Sequence, residues 1–184
     1  MRYDRQMILP EIGEDGQQKL KQAKVLIVGV GGLGSPISSS TWHGAGVGCL
    51  GLVDDDLVSI TNLQRQVLYS EKELGKPKAI CAAERLSALN SEIRIHPYST
   101  RLTKENAYHI IQEYDIVVDG CDNFATRYLI NDICIEQKKP TYMVLSAVLK
   151  DRFLYSTTET RKRTTGIFIL TKKKCNGCLL RLKV

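Results

Sequence analysis

Apolar runs alternate with mixed stretches along this chain, and the runs are short. Residues 25–28 are wholly apolar and a second apolar run ends at Asp54; further strands are expected at 93–98 and 115–119, with another beginning near Thr141. Runs of this length suit strands buried on both faces. The stretches between them have helical character. Residues 16–23 form a short helix after the breaks at Pro10 and Gly13. A helix over about 76–90 follows Gly75-Lys76-Pro77, with Ile80, Ala83, Leu86 and Leu89 on one face. Helices over 106–114 and 125–137 complete the series. Strands alternating with helices predict an α/β fold: a Rossmann-like, mainly parallel sheet with helices on both faces and ligands at the carboxyl ends of the strands.

The first run leads straight into Gly29-x-Gly31-x-x-Gly34. Glycines there let the backbone turn tightly and approach a phosphate, and the helix that follows offers free N–H groups. Asp54 closes the second strand 20 residues after Gly34, where a carboxylate accepts hydrogen bonds from a ribose. That position suits NAD and ATP equally, and a solvated turn of Asp54, Asp55 and Asp56 is the plainer alternative.

Composition narrows the class. A chain of 184 residues with 43% hydrophobic and 25% charged residues fits one soluble globular domain. Neither a secretory signal nor an apolar span of about 18 residues is present, which points to a cytoplasmic protein that does not engage a membrane. Of the six cysteines, Cys49, Cys81, Cys121 and Cys134 sit among apolar neighbours and read as small buried thiols. The net charge of +6 is uneven: residues 1–142 hold 16 basic and 18 acidic side chains, residues 143–184 hold 10 and 2. The basicity belongs to the tail, which has no readable nucleic-acid motif, so no nucleic-acid partner is expected.

Beyond Asp54 the text departs from that of an ordinary dehydrogenase. SITNLQRQ places Asn62, Gln64 and Arg65 beside the ribose end, and Lys78 opens the next helix. Two cations near the glycine turn suit a triphosphate under attack, because charge developing on departing pyrophosphate needs fixed positive partners, although read without context Arg65 and Lys78 are more often surface charges. Asp119-Gly120-Cys121-Asp122-Asn123 follows the fourth strand. Asp122 or Asn123 there is either a helix N-cap or, for the carboxylate, a holder of Mg²⁺ against phosphates.

RYDRQMILP, VLIVGVGGLGSP, GAGVG, LVDDD, TNLQRQVLYSEKELGKPKA and VVDGCDNFATRYLIND, in this order, resemble the ThiF/MoeB/HesA family, bacterial relatives of the ubiquitin-activating enzymes. The resemblance runs from Arg2 to about Tyr142 and implies ATP-dependent adenylylation of the C-terminal glycine of a ubiquitin-like sulfur carrier of molybdopterin or thiamine synthesis. It implies that Gly29, Gly31, Gly32 and Gly34 form the phosphate loop and that Asp54 holds the ribose. Asn62, Arg65 and Lys78 then contact the phosphates and Asp122 positions Mg²⁺, with Asp56, Gln64 and Asn123 also at the nucleotide. Arg5 reaches the ATP of a neighbouring subunit, which implies a homodimer. An NAD-linked oxidoreductase module and a non-catalytic ATP-binding fragment are the alternatives.

After Tyr142 the resemblance stops, so a domain over 1–142 and an aberrant or poorly ordered basic tail over 143–184 are expected, without the family's C-terminal half of the sheet. Read one base out of frame, the run from Tyr142 through Thr158 can encode Tyr-Gly-Ala-Ile-Cys-Gly-Phe-Glu-Gly-Gln-Val-Ser-Val-Phe-Asn-Tyr, and Ser40 to His43 can encode Tyr-Leu-Ala. This predicts a compensated reading-frame shift near 39–43 and an uncompensated one near 142. A gene whose codons cannot encode those strings would overturn it. Cys175 and Cys178 form a lone CxxC, half of a four-cysteine zinc site, and zinc is not expected.

Overall fold

The computed structural model describes residues 2–147 and 150–156. Helices α1 (Asp4–Met7) and α2 (Gly13–Gln22) lead into strand β1 (Lys24–Val28), and a short helix α3 (Gly34–Pro36) passes into a π-helical turn over Ile37–His43. Then follow β2 (Cys49–Val53), α4 (Lys78–Leu89), β3 (Arg94–Tyr98), α5 (Lys104–Gln112), β4 (Ile116–Asp119), α6 (Phe124–Glu136), β5 (Thr141–Ala147) and β6 (Lys150–Ser156). The sheet has the order β3-β2-β1-β4-β5-β6; β1 to β5 run parallel and β6 is antiparallel to β5.

The apolar runs become strands because helices cover both of their sides. Val25 and Ile27 of β1 pack with Leu50, Leu52 and Leu86 on the α4 face, while Leu26 and Val28 pack with Ile111, Ile130 and Ile133 on the α5 and α6 face. Each of these strand side chains is at most 3% exposed, so every one of them serves a core and no polar alternation is needed. The four predicted cysteines are buried free thiols. No helix among the described residues is long and apolar enough to cross a membrane.

Register fixes where the site forms. Val28 pairs with Val53 on one side and with Asp119 on the other, and Val53 pairs with Tyr98. The carboxyl ends of four strands therefore lie level, and the residues that follow them share one rim. The chain leaves β1 toward β2 on one side and returns to β4 on the other, so the crevice between β1 and β4 is the switch point where ligands bind such sheets.

Two expectations for α4 need correction. Helix α4 begins at Lys78, with Pro77 at its N-cap, and not at residue 76. Its inward face is Ala79, Ala82, Ala83 and Leu86, whereas Ile80 and Leu89 are 37% and 54% exposed. Small alanines let α4 lie close to the sheet, and the larger Ile80 and Leu89 fall outside that contact. Strand β6 was not foreseen. Strand β5 continues past Tyr142, which pairs with Val118 on one side and Tyr155 on the other. Cys175, Cys178 and the rest of the tail beyond residue 156 lie outside the described residues.

Candidate functional site

The glycine turn is built by close backbone approaches. Gly29 has φ +86°, and a Cβ there would stand 2.9 Å from the Gly120 carbonyl oxygen. The Gly29 N–H donates to Val53 O at 2.8 Å and the Gly120 N–H donates to Val28 O at 2.8 Å, so the turn after β1 and the loop after β4 are locked together. A Cβ on Gly34 would meet the Gly29 carbonyl oxygen at 1.8 Å. Gly34 is buried and does not line the cavity, so its absent side chain serves packing of α3 on β1 and not contact with a ligand. Gly29, Gly31 and Gly32 do line it, and the N–H groups of Gly31 and Gly32 have no hydrogen-bond acceptor among the described residues.

Around this turn lies a cavity of about 570 Å³, a volume that suits a nucleotide-sized ligand. Asp54 stands at its wall. One carboxylate oxygen accepts from the Val30 N–H at 2.8 Å and the other from the Asp56 N–H at 2.9 Å. Burial pushes the Asp54 carboxyl above its ordinary range, against the pull of those two backbone bonds and the Lys78 charge. Asp56 accepts from Lys78 Nζ at 2.7 Å; Lys78 is 3% exposed and its own N–H donates to Asp56 O. The Arg65 side chain lies across the glycine turn, with Nε 3.1 Å from where a Cβ on Gly32 would be, and Nη1 donates to Thr61 O at 3.4 Å. Asn62 ends a 3₁₀ turn over Ile60–Asn62, and its carbonyl accepts from the Arg65 and Gln66 N–H groups.

The opposite wall is the loop after β4. Asp119 is buried and accepts from the Cys121 N–H at 3.0 Å and from the Cys121 thiol at 2.7 Å. Burial pushes the carboxyl of Asp119 and the thiol of Cys121 upward, for Asp119 against the pull of the Cys121 hydrogen bonds and the Arg127 charge. Asn123 caps α6 by accepting from the Thr126 N–H at 2.9 Å, so the N-cap reading holds for Asn123. Asp122 is exposed, lines the cavity and makes no hydrogen bond among the described residues. The carboxylates of Asp54, Asp55 and Asp56 lie close together. Asp54 accepts from two N–H groups and Asp56 from Lys78, so two of the three carboxylates already serve the protein's own contacts.

Of the residues singled out from sequence, the structure brings Gly29, Gly31, Gly32, Asp54, Asp56, Asn62, Arg65, Lys78, Asp122 and Asn123 to one cavity. Gln64 is exposed and outside it; Gln66, two residues on and 3% exposed, lines it instead. Arg5 is exposed on α1, a helix pinned by Gln6 Nε2 to Ala45 O at 2.8 Å, and lies outside the cavity of its own chain. Sequence reasoning passed over Thr100, Arg101 and Leu102, which line the cavity after β3. The rule that ligands sit at strand carboxyl ends would have found them.

The ThiF family description matches residues 3–183. Over 139 residues, 76% of this chain, the sequence is 52% identical to the sulfur carrier protein adenylyltransferase of Thermus thermophilus and spans 51% of that protein. It is 54% identical over 139 residues to the adenylyltransferase and sulfurtransferase MOCS3 of Culex quinquefasciatus, 32% of whose length it covers. Among solved structures, Escherichia coli MccB with ATP superposes with a TM-score of 0.70 at 32% identity, over 78% of this chain and 44% of that one. The E. coli tRNA N6-threonylcarbamoyladenosine dehydratase TcdA with ATP gives a TM-score of 0.72 at 28% identity, over 77% and 58%. The chain thus spans about half or less of the length of these curated relatives.

Proposed function

This chain belongs to the ThiF family, and from that premise we propose that it carries the ATP-binding part of an adenylyltransferase acting on the C-terminal carboxylate of a ubiquitin-like sulfur carrier, of the molybdopterin or thiamine type. One observation carries the reading. A glycine turn whose N–H groups are unpaired among the described residues is flanked by Arg65 and the buried Lys78 and faces Asp122, whose carboxylate has no partner among those residues either. This arrangement fits a triphosphate with its metal: anionic oxygens receive the N–H groups and cations, and a free carboxylate remains for the cation that accompanies them.

The chemistry assigned to these residues is alignment and charge neutralisation. A carboxylate oxygen of the carrier forms a bond to the α-phosphorus, the bond from that phosphorus to the bridging oxygen breaks, and pyrophosphate leaves with the electron pair. The attacking carboxylate is already ionised at neutral pH, so no general base is required. Gly31 and Gly32 receive phosphate oxygens on their N–H groups. Arg65 lies over the turn and Lys78 rises from the start of α4, so the two bracket the charge that grows on the leaving group. Asp54, held by the Val30 and Asp56 N–H groups, accepts from the ribose. Asp122 would hold Mg²⁺, which supplies further neutralisation of phosphate charge. Arg5, outside its own cavity, is free to serve that of a partner in a homodimer.

The test is ATP–pyrophosphate exchange by this chain with a sulfur carrier ending in Gly-Gly. Exchange should depend on the carrier and fall at least about 100-fold in Arg65→Ala and in Asp122→Ala. Exchange that needs no carrier, or that survives both substitutions, would defeat the assignment.

A further inference from the structure

Among the described residues, the loop that presents Asp122 is fastened at every residue except Asp122. Gly120 donates to Val28 O at 2.8 Å and abuts Gly29. The Cys121 N–H and thiol are both taken by Asp119, and Asn123 is tied to the Thr126 N–H. One further fastening comes from Arg127 in the first turns of α6. Its Nη2 donates to Cys121 O and also reaches Val144 O at 3.4 Å, so one guanidinium joins the loop to strand β5. Arg127 is 5% exposed and does not line the cavity.

The polar inventory of this side chain is unusual for a group kept for stability alone. Its Nε stands 3.9 Å from Asp119 Oδ2, and both that oxygen and Arg127 Nη1 lack a hydrogen-bond partner among the described residues. A buried ion pair with unmet groups on both sides is a poor stabiliser, and an apolar side chain of similar volume would do as well or better. What an apolar side chain cannot do is hold a backbone carbonyl. The planar fork of arginine donates from fixed directions, and here it spans the loop and the neighbouring strand. The anchor it grips in β5 is a main-chain oxygen, independent of which side chain residue 144 carries.

We propose that Arg127 is a positioning residue of the nucleotide site: through the Cys121 carbonyl it sets where the Asp122 carboxylate stands relative to the glycine turn, without touching nucleotide or metal. This rests on the reading of the cavity as a Mg·ATP site with Asp122 at the metal. Removing partners that orient a metal ligand typically costs roughly 10–100-fold in metal affinity or activity. The loss should therefore appear only in the metal-dependent part of binding.

The experiment is calorimetric titration of the full 184-residue chain with ATP, in Mg²⁺ and in EDTA. Arg127→Met should reduce the gain in affinity conferred by Mg²⁺ about tenfold or more and leave affinity in EDTA within about twofold. Arg127→Lys should recover part of the gain, and Arg127→Met combined with Asp122→Ala should bind no worse than Asp122→Ala alone. A loss that is equal with and without Mg²⁺, or that multiplies with Asp122→Ala, overturns the proposal and leaves the ATP site standing. If Asp122→Ala leaves the Mg²⁺ gain untouched, the metal reading fails and takes this one with it. If Arg127→Met does not fold, Arg127→Lys decides: a retained fold with a reduced Mg²⁺ gain supports the proposal, and an unchanged gain overturns it.

Discussion

Lys78 and Asp56 form a lopsided pair. The lysine side chain is 4% exposed and the aspartate side chain 69%, yet they meet at 2.7 Å. Removing the exposed partner leaves a buried cation without its anion, whereas removing the buried cation leaves only a solvated carboxylate. Asp56→Ala should therefore lower unfolding free energy by about 1–3 kcal/mol, while Lys78→Met should hold or raise it and still abolish Mg·ATP binding. Urea denaturation of the two variants beside a binding titration checks this; equal stability loss in both would refute the asymmetry. The same neighbourhood shows the limit of sequence reading at this scale. TNLQRQ announces polar side chains at the site, but in the turn that follows the 3₁₀ segment ending at Asn62, Gln64 is exposed and Gln66 is buried at the cavity. No spacing rule for regular helices or strands applies to such a turn. Arg65 and Lys78, which read without context are more often surface charges, both line the cavity.

The elements were most legible where one periodicity held throughout. Runs such as Val25 to Ile27, wholly buried, could only be strands covered on both faces. Legibility failed where packing distance overrode residue size, as on α4, whose alanines and not Ile80 meet the sheet. It failed again in the segment Ile37–His43, where the helix widens to π geometry. There Ser38 and Ser39 donate to the Ser35 carbonyl, Ser38 is fully buried, and the His43 ring is 5% exposed with Nε2 unpartnered among the described residues. Burial pushes the His43 pKa below the usual 6.5, and the nearby Arg2 charge acts in the same direction, against backbone groups of Leu86 and Asn90. With the folded value depressed, the unfolded chain binds a proton that the folded chain refuses over the interval between the two. Stability is accordingly complete above pH 6.5 and declines as pH falls through that interval. His43→Leu should flatten the decline by up to about 1.4 kcal/mol per pH unit, read as the difference from wild type in urea midpoints at pH 7.5 and 5. Parallel pH profiles in the two proteins would show that His43 carries no such linkage.

At the scale of the whole molecule, the fold was readable because topology and ligand site are one fact: strand order places the switch point between β1 and β4, and register brings Val28, Val53 and Asp119 level there. The nucleotide reading was carried by residues on four separate elements, from Gly29 after β1 to Asp122 after β4, which no local motif could have joined. Thr100 to Leu102 were missed for the same reason, since β3 sits two strands away from β1 in the order and its loop reaches the cavity only through the level register. A ligand held by so many elements at once must stabilise the sheet as a unit, because unfolding any one of them releases it. At 100 times its dissociation constant such a ligand adds about 2.7 kcal/mol, and for a chain of this length each kcal/mol moves Tm by about 2–4 °C. Mg·ATP should then raise Tm by roughly 5–10 °C in wild type and by much less in Arg65→Ala, with NADH giving no comparable shift. The two cations decide between the nucleotides, since Arg65 lies over the glycine turn and Lys78 is buried at the cavity wall, where a terminal phosphate has use for them and a nicotinamide ring has none. A shift with NADH that equals the one with Mg·ATP and survives Arg65→Ala would move this site to the dinucleotide side of the α/β folds.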